Sequence, residues 1–241
     1  MSMSSFLQPA WKCALVLALT LPAHAEVRVH THQASFLADL QSSGHLVREE
    51  GFEDDAVWGA VRTTLVLGFS TAPSVVSQGV TWASNFAAGA ITTSEGAART
   101  GNWGLFSYPH GSYATGVDCM TEGACGDGFT GSATPGFYAI GGWIRTNTPY
   151  AKVGLILDGT PVDFGSAGTI GTDYAFFGAV STSAFARFEF RELEGTIEDQ
   201  KFIFGDDFYL APVPEPSRFM LLLSGLGLVG LAVRRHARLR T

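Results

Sequence analysis

The sequence predicts an all-β fold, an antiparallel β-sandwich preceded by one short N-terminal helix. The chain of 241 residues contains 29 glycines and 18 phenylalanines but only 15% charged residues. This composition is typical of many short strands and turns rather than of long amphipathic helices. Segments rich in β-branched and aromatic residues alternate with clusters of Gly, Pro, Asn, Asp and Ser. That alternation indicates antiparallel strands joined by turns.

The N-terminus, residues 1–25, has the features of a cleavable secretory signal peptide. Lys12 precedes a short apolar stretch, and an A-x-A cleavage site follows at Ala23 and Ala25. We expect cleavage after Ala25. An uncleaved anchor would need about 20 consecutive apolar residues, which this stretch does not have. The signal therefore predicts an exported protein.

The mature chain begins with the predicted helix. Phe36, Leu37 and Leu40 have the spacing of one apolar helix face, and Gly44 marks the helix end. After Gly44 the helix signals cease and short β-rich segments follow to the end of the body. We assign residues 26–211 to a single sandwich domain, because a chain of this length can bury one good core.

The last two predicted strands show a period of two. In "AFARFEFR", Ala186, Phe188 and Phe190 alternate with charged residues, which predicts one buried face and one wet face. In "QKFIFGDDFYL" every second residue would lie on one face of the strand, and one of these two sets (one parity) includes an acidic residue among apolar ones. That set is Phe202, Phe204, Asp206, Phe208 and Leu210. A carboxyl group on an apolar face costs free energy unless it is paired, coordinated or placed at the rim.

The charge of the exported body restricts its partners. Residues 26–212 contain 9 Lys or Arg and 21 Asp or Glu, a formal charge of −12. Such a surface repels phosphate backbones, which argues against nucleic acid as a partner. Cations and neutral glycans are the partners that this charge favours.

The two cysteines of the body, Cys119 and Cys125, predict a local disulfide. They lie in the Gly-rich segment "DCMTEGACGDG", and an even pair of cysteines is typical of disulfides in exported proteins. So small a ring should contribute about 2 kcal/mol at most, so it would fix one loop rather than the fold. The alternative is two free thiols, since a metal site would need more ligands nearby.

Two acidic clusters are the candidate metal site. Glu53, Asp54 and Asp55 lie on an early predicted strand, and Asp206 and Asp207 lie on the last one. If the first and last strands pair, the clusters meet at one edge and offer the oxygen ligands that a structural Ca²⁺ ion takes. Two solvated turn ends are the alternative. A glycosidase pair of carboxylates is a further alternative, although adjacent acids suit a hard cation or a hydrated turn better.

Exposed aromatic side chains would be the candidate glycan platform. Flat aromatic rings stack on sugar rings at binding surfaces, but aromatic residues at strand spacing also form cores, and both interpretations stay open. The candidates are Trp58, Trp82, Trp103, Trp143, Tyr108, Tyr113, Tyr138 and Tyr150.

The C-terminus has the pattern of a short membrane segment. A Pro-rich linker occupies residues 212–218, an apolar run occupies 219–233, and a basic tail occupies 234–241. As a helix, the apolar run would be about 22 Å long, against roughly 30 Å of bilayer hydrocarbon. Basic residues flank the run and predict a cytoplasmic tail; they are Arg218, Arg234, Arg235, Arg238 and Arg240.

This C-terminus resembles the PEP-CTERM sorting domain. The motif "VPEP", the short apolar run and the terminal arginines follow one another in that order, behind a signal peptide; the motif consists of Val213, Pro214, Glu215 and Pro216. The resemblance implies a Gram-negative bacterium that makes extracellular polysaccharide. It also implies an exosortase, a membrane cysteine protease that recognises the motif and removes the tail, so the protein would contact the inner membrane only transiently.

The body resembles jelly-roll modules akin to carbohydrate-binding domains. The segments "FGAVSTSAFARFEF" and "FIFGDDFYL" are similar to their closing strands, and "GFEDD" lies where such modules begin. The resemblance implies a jelly-roll-like sandwich. It also implies a structural calcium ion on Glu53 and on Asp206 or Asp207. Because one fold serves many functions, it implies no particular activity.

We therefore expect an exported, non-enzymatic protein with no catalytic residues and with calcium as its one cofactor. It would reach the cell surface or the extracellular matrix, and would have a structural or glycan-interacting role in exopolysaccharide or biofilm. The alternative is a secreted polysaccharide-active enzyme, a glycosidase or lyase, on the same scaffold.

Overall fold

The computed structural model describes residues 26–64, 68–86, 89–108, 127–193 and 202–214. Within these ranges the chain is all-β, as predicted, with two short helices, α1 (Gln33–Ser42) and α2 (Asp55–Trp58). Neither helix combines the length and the hydropathy that a bilayer crossing requires. The strands are β1 (Val27–His30), β2 (Arg48–Glu50), β3 (Arg62–Thr63), β4 (Ser74–Ser77), β5 (Val80–Ser84), β6 (Ile91–Ser94), β7 (Gly104–Ser107), β8 (Gly128–Thr146), β9 (Ala151–Leu157), β10 (Thr160–Val162), β11 (Thr169–Ile170), β12 (Ala175–Glu192) and β13 (Ile203–Pro212).

The strands pair antiparallel, except that β3 and β6 run parallel. The main path is β10-β9-β12-β8-β13-β7-β6-β3, with β1 added to β12, β2 to β13, β5 to β8, β4 to β5 and β11 to β9. The two longest strands, β8 and β12, pair with each other along most of their length. They form the centre of the sheet, because nearly every other strand pairs with one of them or with a strand next to it.

The long strands pass through two layers. Their shared register shifts between Val180 and Arg187 of β12, and such irregularities bend a strand. Before the shift β12 pairs with β1, and after it with β9. Side chains from both halves meet in one core, where Trp82 lies 5.6 Å from Phe188 and 5.1 Å from Phe208 between ring centroids. This layered arrangement is consistent with the jelly-roll interpretation.

Phe208 stands at the centre of the core. It is fully buried, and its ring centroid lies 5.1 to 5.8 Å from those of four other rings. Two glycines make room for it: a Cβ on Gly142 would lie 2.3 Å from Phe208 Cδ1, and a Cβ on Gly205 would lie 2.6 Å from its Cζ. The four surrounding rings are those of Phe52, Trp82, Phe129 and Phe190.

The predicted N-terminal helix is present as α1. Phe36 and Leu40 are buried and pack on the outer face of the sheet, against Phe176 and Val180 of β12. The helix ends at Ser42, and Gly44 follows with a φ of 69°, the left-handed conformation that commonly terminates helices. The spacing of the apolar residues therefore predicted this helix correctly.

The predicted parity of the last strand was wrong. The pairing of β13 with β8 gains one residue between Asp206 and Tyr209, and Asp207 has a φ of 48°. This bulge moves the side chains after it to the opposite face. Phe204 and Asp206 therefore lie on the outer face, whereas Phe208 and Leu210 lie in the core.

A similar irregularity corrects the prediction for "AFARFEFR". Phe188 and Phe190 are buried as expected, but Ala186 is exposed and Phe185 takes the buried position. The cause is the register shift between Phe185 and Arg187.

Candidate functional site

An early strand, β2, pairs with the last strand, β13, whereas the first strand, β1, pairs with β12. Residues Phe208 to Leu210 of β13 lie opposite Glu50 to Arg48 of β2. Glu53, which follows β2, and the acids of the β13 bulge then contact the same segment, residues 98–103. We call this segment the clamp loop.

Asp206 binds the clamp loop through backbone groups. Its Oδ2 accepts hydrogen bonds from the N–H groups of Arg99 at 2.6 Å and Thr100 at 3.1 Å. Its Oδ1 accepts one from the N–H of Asp207 at 2.8 Å. The side chain is fully buried, so these three donors replace the water that the carboxyl group has lost.

The two neighbouring acids bind the same loop. Asp207 accepts hydrogen bonds from the guanidinium of Arg99 at 2.6 Å and from the hydroxyl of Thr100 at 2.7 Å. Oε1 of Glu53 accepts from the N–H groups of Asn102 at 2.8 Å and Trp103 at 2.9 Å. Three carboxylates that are remote in sequence thus fix one short loop.

These acids do not fit a calcium ion in this arrangement. Calcium takes six to eight oxygen ligands, whereas the oxygens of Glu53, Asp206 and Asp207 point at N–H, hydroxyl and guanidinium donors. Across the part of the chain that the structure describes, no group of three His, Cys, Asp or Glu residues could hold a metal. The donors of the clamp loop stand where the cation was expected, and calcium binding stays a prediction.

The environment of Asp206 makes its carboxyl group a weak acid. Burial raises its pKa from the usual 3.8 to about 7, and the negative charge of Asp207 acts in the same direction. The hydrogen bonds from the N–H groups of Arg99 and Thr100 oppose this rise in pKa. The cost of burying the charge outweighs the bonds that stabilise it.

This raised pKa predicts a pH dependence of stability. Between about pH 4 and pH 7 the folded chain holds a proton on Asp206 that the unfolded chain releases, so the free energy of unfolding falls as pH rises through this window. The Asp206→Asn variant cannot titrate there. We expect denaturant unfolding at about pH 5 and about pH 8 to show wild type losing stability relative to Asp206→Asn at the higher pH. A relative gain at the higher pH would mean that the N–H donors lower the pKa instead.

The four tryptophans proposed as a glycan platform do not present open ring faces to solvent. Trp58 and Trp82 are fully buried in the core, so for them the platform hypothesis was wrong. The other two are covered by arginines: the guanidinium carbon of Arg62 lies 4.1 Å from the ring centroid of Trp103, and that of Arg99 lies 3.8 Å from that of Trp143.

The tyrosines proposed for the same platform do not lie together on one surface. Tyr138 stacks on His45 at 5.1 Å, and Tyr150 is 84% exposed in the turn after β8. Tyr113 lies outside the described residues. Among the described tyrosine candidates, Tyr108 contacts two rings, those of Phe69 and Phe106, that line a concave surface.

That concave surface is lined by phenylalanines, and we call it the aromatic groove. Phe202 and Phe204 stack nearly parallel, at 5.9 Å and 14°. Phe106 of β7 lies directly opposite Phe204 and contacts both rings at 5.6 to 5.7 Å. Phe69 is 74% exposed and contacts Tyr108 at 5.6 Å. The rings form a continuous row because Tyr108 also lies 6.1 Å from Phe106.

The aromatic groove encloses about 530 Å³ and has polar groups at its edge. Thr63, Ser94 and Asn147 line it beside the rings. The side-chain oxygen of Asn147 accepts the N–H of Phe202 at 2.9 Å and so fixes the start of β13. The guanidinium carbon of Arg145 lies 4.1 Å from the ring centroid of Phe204. A cavity with apolar walls and a few fixed polar groups is typical of a ligand site.

Sequence reasoning missed this groove because it placed Phe202 and Phe204 in the core. The signal that could have identified it was "GDD" inside an otherwise alternating strand, since a glycine followed by two acids is poor strand sequence and suggests a bulge. Phe69 carried no signal of its own.

Most residues of the predicted processing signals, and both cysteines of the predicted disulfide, lie outside the described residues. This holds for Ala23, Ala25, Cys119, Cys125, Glu215, Pro216, Arg218, Arg234, Arg235, Arg238 and Arg240. Val213 and Pro214 are described: the N–H of Val213 donates to the carbonyl of Gly136 at 2.9 Å. The sorting motif therefore begins where β13 leaves the sheet.

Comparison with protein families gives one match. A model of the PEP-CTERM protein-sorting motif matches residues 212–236. This chain carries the PEP-CTERM sorting motif. The motif indicates a protein that is exported and sorted by exosortase to the cell surface. A search of curated proteins found no match to this chain.

Proposed function

We propose that this protein is a non-enzymatic, jelly-roll-like protein that binds neutral glycan at the cell surface or in the extracellular matrix. The observation that carries the proposal is the aromatic groove, with its row of rings from Phe69 to Phe202 and Phe204. Sugar rings present apolar C–H faces, and exposed aromatic rings can stack on those faces. The polar groups at the edge would bind hydroxyls.

The charges support a neutral ligand. The body carries −12, which disfavours an acidic polymer. The described residues that line the groove include no Asp or Glu, so none of these residues would place a carboxylate against a bound glycan. Hydrolysis by the usual mechanism needs two such groups beside the scissile bond.

Among the described residues, Asp206 has the strongly raised carboxyl pKa, and its position supports binding over catalysis. A raised pKa is typical of a general acid, but Asp206 is fully buried and its oxygens accept bonds from Arg99, Thr100 and Asp207. A general acid must reach the leaving group of its substrate. Asp206 instead has the role of holding the clamp loop.

The test is glycan binding by the Phe69→Ala variant. We expect its dissociation constant to rise about tenfold, about 1.4 kcal/mol, because the most exposed ring of the groove is lost. The measurement is affinity electrophoresis in gels that contain neutral glucans or the extracellular polysaccharide of the producing bacterium. Tyr150→Ala is the matched control, since it removes an exposed aromatic ring outside the groove.

Two outcomes would contradict the proposal. Equal retardation of wild type and Phe69→Ala would exclude the groove as the binding site. Release of new reducing ends from the polysaccharide by wild type would favour the alternative, a polysaccharide-active enzyme.

A further inference from the structure

The aromatic groove and the sorting motif lie at opposite ends of one strand. β13 begins beside Phe202 and Phe204 in the groove and ends at Pro212, one residue before the motif. From Phe204 to Val213 the chain advances nine residues. At roughly 3.3 Å per residue the two ends are separated by about 30 Å.

The mature N-terminus emerges at the same end as the sorting motif. The N–H of Glu26 donates to the hydroxyl of Thr182 at 3.0 Å, and the N–H of Thr182 donates to the carbonyl of Glu26 at 3.0 Å. Thr182 lies at the bend of β12, and the next paired residue, Phe185, lies opposite Phe137. Phe137 adjoins Gly136, which binds Val213. We call this end of the sandwich the tail pole.

The link between the tail pole and the apolar run is short. Only residues 215–218 separate Pro214 from Phe219, where the apolar run begins. Fully extended, this stretch reaches about 18 Å at most. This reach is shorter than the distance of about 30 Å between the tail pole and the groove. While the apolar run is inserted in a membrane, the tail pole therefore stays closer to that membrane than the groove does.

We infer that the tail pole faces the membrane and its processing protease while the tail is inserted, and that the aromatic groove faces away from the membrane. The surface next to the membrane then includes Glu26, Pro135 and Ser183. The groove is open to the exterior before the tail is removed. This orientation follows from the strand directions and holds whatever ligand the groove binds.

Energy transfer to the bilayer tests the orientation. The full-length chain, with Cys13, Cys119 and Cys125 replaced by serine, is labelled with a short-range fluorescent donor at Ser183→Cys or at Tyr150→Cys. Ser183 lies at the tail pole, and Tyr150 lies beyond the groove end of β8. Each protein is reconstituted in vesicles of phosphatidylethanolamine and phosphatidylglycerol with a lipid-linked acceptor.

We expect transfer at Ser183 to exceed transfer at Tyr150 at least about twofold, because donors about 30 Å apart along the body differ in height above the bilayer. The same proteins in vesicles without acceptor provide the baseline. Equal transfer, stronger transfer at Tyr150, or no transfer from either position would overturn the inference. None of these results would bear on the glycan test with Phe69→Ala, which needs no membrane.

Discussion

We expect the Asp206→Ala variant to lose about 2 to 4 kcal/mol of its free energy of unfolding. The substitution leaves the N–H groups of Arg99, Thr100 and Asp207 without their acceptor, and an unsatisfied buried donor costs about 1 to 3 kcal/mol. Part of this cost is relieved because the clamp loop can move outward into water. Urea unfolding measures the loss, and faster proteolysis near Arg99 reports the release of the loop.

Asp207→Ala is the matched control for Asp206→Ala. It removes the ion pair with Arg99 at a partly exposed position, and such pairs contribute roughly 1 kcal/mol or less. We therefore expect a much smaller loss from Asp207→Ala. A larger loss from Asp207→Ala would contradict this order. A wild-type midpoint that falls in EDTA and recovers with calcium would show that the acids hold a cation rather than the loop.

Phe208→Ala should be the more damaging change, with a loss of about 3 to 5 kcal/mol. Phe208 is fully buried between the rings of Phe52, Trp82 and Phe129. Removing its ring leaves a cavity that the surrounding packed side chains close only in part. Because a domain has about 5 to 15 kcal/mol of stability in total, the loss is a large part of it. Thermal and urea unfolding should both show it.

Phe69→Ala provides the contrast. This ring is 74% exposed, so we expect its removal to change the free energy of unfolding by about 0.5 kcal/mol or less. The two phenylalanines should then separate the fold from the proposed binding: Phe208→Ala lowers stability, and Phe69→Ala lowers glycan affinity. Similar losses of stability in both variants would contradict the assignment of Phe69 to a surface groove.

The proposed orientation of the body would connect sorting with the proposed binding. In the proposed arrangement the membrane holds the tail pole while the aromatic groove is presented to the exterior. The protein could then bind polysaccharide first and be released with it when the tail is removed. The same geometry leaves the clamp loop between the two ends, where it binds the β13 bulge that turns Phe208 into the core.

Part of the candidate site could be predicted from the sequence. The pairing of an early strand with the last strand was expected, and it brings Glu53, Asp206 and Asp207 to one loop. That early strand is β2 and not the first strand, since β1 pairs with β12. The partner of these acids could not be predicted, because the clamp loop is far in sequence from Glu53, Asp206 and Asp207. Backbone N–H donors carry no side-chain signal, so acids that bind a loop look the same in sequence as acids that bind calcium.

Features that depend on which residues follow one another along the chain could be read from the sequence alone. The PEP-CTERM motif is read along a linear stretch, and α1 follows from the spacing of Phe36 and Leu40, since a helix buries residues three and four apart. The tertiary structure alone decided which aromatic rings face solvent. One extra residue at Asp207 reverses every later side chain of β13, so Phe204 enters the groove and Phe208 the core although both have the same parity in the sequence.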